Sequence, residues 1–84
     1  MNDARRKRIR EARRKRIREA RDLVSRARDI LEEVGSEERD SFDNLSEGLQ
    51  QASNGQKSEA AAECLEEIVE SLDEAITNCE SAAE

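Results

Sequence analysis

The sequence predicts an all-α protein: a long antiparallel helical hairpin whose heptad seams lead it to self-associate into a coiled coil or four-helix bundle. Three observations carry this expectation. Apolar residues recur with alternating three- and four-residue spacing in two separate stretches, 17–34 and 61–82. A segment with two glycines and an Asn54-Gly55 turn signal lies between them. No proline occurs in the 84 residues, so nothing breaks a long helix outright.

The first element is a basic helix over residues 3–16. Asn2 or Asp3 can cap it, and Ala, Arg, Lys and Glu, all strong helix formers, fill it. It contains a tandem repeat: residues 4–11 and 12–19 both read ARRKRIRE. Eight residues turn a helix about 80° past two full turns, so the copies present different faces and the arginines point all round. From residue 17 to about 44 the same helix acquires a seam of Ile17, Ala20, Val24, Ala27, Leu31 and Val34. Leu23 and Ile30 flank that seam. Gly35-Ser36 is a possible joint, since Gly can end a helix and Ser can cap the next. The favoured reading is a helix that continues to about Asn44; a separate short helix over 36–50 is the alternative.

Residues 45–57 read as the connection, and an acidic helix is expected over 58–83, starting near Ser58. Its seam is Ala61, Leu65, Ile68, Leu72, Ala75, Cys79 and Ala82. Val69 and Ile76 widen it. Some 26 residues at 1.5 Å each make this helix roughly 39 Å long. Folded back from residue 44, it reaches about residue 18. Residues 3–16 should therefore overhang the hairpin with no partner in their own chain. The self-association seam is assigned to Ile17, Val24, Leu31, Val34, Leu65, Ile68, Leu72 and Cys79. The whole chain, 1–84, is read as one domain.

Composition limits the function. Only 15 residues are Leu, Ile, Val or Phe, while 43% are charged. A thick core and an enclosed pocket are excluded on that ground. There is no His, Trp or Tyr and one Phe, which removes the ordinary neutral-pH proton shuttle and makes base stacking a poor mechanism. No nucleotide-binding or zinc-protease motif occurs. Carboxylate pairs such as Glu63/Glu67 and Glu66/Glu70 read as a solvated helix face. Cys64 and Cys79 lie 15 residues apart on one expected helix, about 22 Å, too far to bridge each other or share a metal. No cofactor, metal or small-molecule substrate is expected, and no enzyme activity. No run approaches a membrane span, and the basic start lacks the apolar stretch of a secretory signal. A cytoplasmic setting is expected, with reduced thiols.

Charge supplies the sharpest feature. Residues 1–28 hold 13 of the 15 bases and four acids; residues 29–84 hold two bases and 17 acids. Arg5, Arg6, Lys7, Arg8, Arg10, Arg13, Arg14, Lys15, Arg16 and Arg18 put ten positive charges on 14 residues. On a helix this is a charged rod, laid out like a basic region fused to a zipper. Phosphates reward such a rod through counterion release, with little sequence preference. The expected partners are nucleic acid or a nucleoprotein or nuclease, besides further copies of the chain.

The segment Phe42-Asp43-Asn44-Leu45-Ser46-Glu47-Gly48-Leu49-Gln50 follows a Glu-rich helix end and precedes a helix rich in Leu, Glu and Ala. It resembles the middle of a group of small helical-hairpin proteins from bacterial phages, prophages and plasmids, which reads FDNLPEGLQ or similar. The resemblance covers about residues 13–84, with Ser46 standing where that group has Pro. It implies a setting rather than an activity: accessory proteins of mobile elements often act by binding host machinery. The resulting expectation is a non-enzymatic binding protein in a bacterial host cell. In its most concrete form it is an anti-CRISPR-like inhibitor of a nucleic-acid-guided or nucleic-acid-processing defence complex. The alternatives are a plain DNA- or RNA-binding module, and a structural oligomer whose basic arm packs on a neighbouring acidic subunit.

Overall fold

The computed structural model describes residues 2–84. Helix α1 spans Asn2–Asp43, a single run of 42 residues. A short helix α2, Glu47–Gln51, leads into α3, Ser53–Ala82, of 30 residues. No strand occurs among the described residues. Helix α3 folds back along α1, and the pair forms a rod with Cα extents of 72 × 14 × 13 Å. The radius of gyration is 19.8 Å, against about 12 Å for a compact domain of this length. The hairpin is one layer thick. Ala62 is the hydrophobic residue fully withdrawn from solvent, and no large side chain is fully buried among the described residues.

Gly35 does not end α1. It is buried in the middle of the helix, and a Cβ placed on it would lie 3.3 Å from the Leu65 Cβ. The missing side chain lets α3 approach closely at this point. The residue that reads as a joint in sequence is a packing residue in the fold.

The connection is shorter than the expected 45–57, and α3 starts five residues earlier than Ser58. The Asn54-Gly55 pair lies inside the first turn of α3 rather than in a loop. The reason is a second close approach. A Cβ on Gly55 would stand 2.2 Å from the Leu49 carbonyl oxygen and 2.6 Å from that of Gln50. Glycine is needed at 55 so that α2 can fold onto the start of α3, not to make a turn. The Gln50 side-chain amide donates to the Phe42 carbonyl at 3.0 Å and ties the short helix to the end of α1. Ser46, before α2, has φ −64° and ψ 157°, the φ that a proline ring would lock.

The seam also differs from its expected frame. Ile17, Val24, Leu31, Leu65, Leu72 and Cys79 are half-buried between the helices, as their spacing predicts. Val34 and Ile68 are not; they remain 40% and 42% exposed. Ala20 and Ala27 are exposed as well. Helix α1 instead alternates Ile17, Val24 and Leu31 with Arg14, Arg21, Arg28 and Gly35. Helix α3 alternates its Leu65, Leu72 and Cys79 with Ala62, Val69, Ile76 and Ala83. Both frames share the same central residues, so apolar spacing alone does not separate them. Arginine stems cover apolar surface while their heads reach the acids of α3, and Gly35 admits Leu65. Those two gains favour the observed frame.

Candidate nucleic-acid interface

The hairpin begins at Arg14. Its Nε donates to the main-chain oxygen of Glu84 at 2.8 Å, and its Nη1 reaches the Arg10 carbonyl at 3.4 Å. Beyond that point α1 continues alone. Every residue from 2 to 13 is helical and exposed, giving an arm about 18 Å long. The overhang expected over 3–16 is thus three residues shorter at its base.

The arm carries Arg5, Arg6, Lys7, Arg8, Arg10 and Arg13, all exposed. Lys15, Arg16 and Arg18 are exposed along the first turns of the paired region, and Arg14 is half-buried. Arg6, Arg10 and Arg13 gather with Ile9 along one side of the helix; Arg5, Lys7 and Arg8 point elsewhere around it. The side-chain ion pairs among the described residues belong to Arg21, Arg28 and Arg39. None involves the ten arginines and lysines singled out from sequence.

The basic residues therefore divide into two sets. Arg21 pairs with Asp22 at 3.0 Å and across the hairpin with Glu80 at 3.3 Å. Arg28 grips Asp73 with Nε at 2.8 Å and Nη2 at 3.4 Å, and also meets Asp29 and Glu32. Arg39 places Nε and Nη2 each 3.2 Å from one oxygen of Glu66. The hydrogen bond that Arg28 donates to Asp73 raises its pKa above the usual arginine value, and the bonds that Arg39 donates to Glu66 do the same for Arg39. These three are clamps between the helices. Sequence reasoning passed over them because it followed apolar spacing. For Arg21 and Arg28 the signal was the seven-residue step Arg14, Arg21, Arg28, Gly35, with acids on the other helix; Arg39 lies off that step.

The opposite surface of the body is acidic. An open groove floored by Leu31, Gly35, Leu65 and Val69 is walled by Glu32, Asp40, Glu66 and Glu70, with Arg39 across it. No helix of the described chain is long and apolar enough to cross a membrane.

Comparison with known proteins adds no relative: no family model matches the chain, and neither curated proteins nor solved structures show a significant match to it. The functional reading therefore rests on the arm and the body themselves.

Proposed function

We propose that this chain is a non-enzymatic binding protein whose Arg-rich arm engages the phosphates of nucleic acid. One observation carries the reading: α1 runs on past the end of its partner helix as an exposed stretch with six bases and two acids over residues 2–13. A helix of that length is marginal by itself in water. Neutralisation by phosphates removes the repulsion among its like charges and releases counterions. The charges surround the arm, which suits backbone binding; no Asn or Gln stands among the arginines to read adenine.

The most concrete form of the proposal is inhibition of a nucleic-acid-guided or nucleic-acid-processing complex of a bacterial host, of the anti-CRISPR kind. What supports it is the pairing of a basic arm with an acidic body, which suits a nucleoprotein target that presents both charge signs. The resemblance of residues 42–50 to hairpin proteins of phages and plasmids supplies the setting. A plain DNA- or RNA-binding module uses the same arm and differs in needing no protein target.

Charge reversal tests the reading. Replacing Arg5, Arg6, Arg8 and Arg10 by Glu leaves the hairpin intact, since none of them touches α3. Binding to short duplex and single-stranded DNA and RNA, followed by fluorescence anisotropy, should then be lost while far-UV circular dichroism keeps its helical signal. Binding as tight as that of the unaltered chain would overturn the proposal.

A further inference from the structure

The exposed apolar side chains of the hairpin are not scattered. On α1, Ala20, Leu23, Ala27, Ile30 and Val34 form a second stripe with 3-4-3-4 spacing, beside the seam but turned away from it. Leu23 and Ile30 are each 60% exposed. On α3, Ile68, 42% exposed, continues this face between the half-buried Ala61 and Ala75, one heptad away on either side. Seen from its own N-terminus, each helix carries its stripe counterclockwise of the seam. In an antiparallel pair that places both stripes on one face. The pairs Arg21–Glu80, Arg28–Asp73 and Gly35–Leu65 fix the register, so Val34 and Ile68 lie nearly level across this face. The acidic groove, with Glu32, Asp40, Glu66 and Glu70, is on the other.

We propose that a second copy of this chain covers the apolar face, stacked antiparallel on the first to make a four-helix bundle. The spacing argues for the same chain as occupant. A 3-4-3-4 stripe pairs with another of its kind, and a two-fold axis at Ala27 sets Ala20 opposite Val34 of the other copy. The thinness of the body argues for it too, because one layer leaves the seam half-buried and the bundle supplies the missing second layer. The face is also large enough. Over the paired region, from Arg14 to Asp43, it runs about 44 Å along two helices about 10 Å apart. That is roughly 900 Å², against about 800 Å² per partner in a standard stable interface.

Charge sets the orientation. Residues 4–16 carry nine bases and one acid, whereas residues 37–47 carry five acids and one base. The antiparallel stack puts each basic end beside the other copy's acidic end. A parallel stack would lay the two basic ends side by side and repel. The tips of both arms stay free at opposite ends of the assembly, so this inference stands whether or not the arm binds nucleic acid.

Sedimentation equilibrium tests the assembly, and disulfide trapping tests its orientation. The unaltered chain should sediment as a dimer at tens of micromolar. Leu23→Glu with Ile30→Glu should give a monomer, while Thr77→Glu on the opposite face stays dimeric. In a background with both native cysteines replaced by serine, a mixture of Ala20→Cys and Val34→Cys chains should oxidise mainly to the mixed dimer. The trapping needs no disruptive substitution, so a misfolded charge variant does not shelter the idea. A monomeric unaltered chain, a dimer indifferent to Leu23→Glu/Ile30→Glu, or oxidation mainly to like-with-like dimers would each overturn the proposal.

Discussion

Replacing Gly35 by leucine, with alanine as the reference, isolates the close approach of the two long helices. Both replacements gain helix propensity over glycine, by about 0.8–1 kcal/mol, and alanine and leucine differ little in that respect. Packing separates them. The Cβ that both add lies 3.3 Å from the Leu65 Cβ, which α3 can absorb with a shift of a few tenths of an ångström. Leucine adds three further carbons in the same gap and must push the helices apart. Overpacking of this kind costs about 1–3 kcal/mol. For a chain of this size each kcal/mol moves Tm by roughly 4–8 °C. The leucine variant should therefore melt roughly 5–20 °C below the alanine variant, at equal protein concentration because association shifts Tm. Thermal melts followed at 222 nm read the difference. A leucine variant as stable as the alanine variant would refute the packing role.

Three further outcomes follow from the same geometry. Gly55→Val should destabilise the chain by about 1–3 kcal/mol, measured by urea unfolding, because even its Cβ would overlap the Leu49 carbonyl. Ser46→Pro should raise stability by about 0.4–1 kcal/mol, read as a higher urea midpoint, since Ser46 already holds a proline-compatible φ and its N–H makes no main-chain hydrogen bond. Amide hydrogen exchange should be fast over residues 2–13 and slow over 17–42, with the arm becoming protected on addition of duplex DNA.

Much of the fold was legible in the sequence because helix propensity, absence of proline and two apolar periodicities agree with one another. The all-α hairpin and the projecting arm follow from spacing and length alone. The register did not follow. Ile17, Val24 and Leu31 belong equally to a frame with Ala20, Ala27 and Val34 and to one with Arg14, Arg21, Arg28 and Gly35. Choosing between them requires knowing that arginine can act as a seam residue when an acid faces it, as Asp73 faces Arg28. The start of α3 was missed for a similar reason. Asn54-Gly55 carries a strong local turn signal, but the glycine is used for an approach between α2 and α3 that only the folded chain reveals. The arm was legible because its signal is local charge density. Its base was misplaced by a few residues because the long Arg14 side chain reaches the Glu84 main-chain oxygen, past the end of α3.

The central claim is that the arm is a phosphate-binding device separable from the hairpin. Deleting residues 4–11 tests it most directly. The deletion removes one copy of the repeat with five bases and leaves every residue from Arg14 onward in place. Anisotropy titrations of a short DNA duplex at several salt concentrations give the slope of log K against log salt. With each neutralised phosphate contributing about 0.9 to that slope, the deletion should weaken binding and flatten the dependence by about 4.5, while the hairpin keeps its helical far-UV signal. An unchanged affinity and slope would contradict the account, because the phosphates would then be held by something other than the arm.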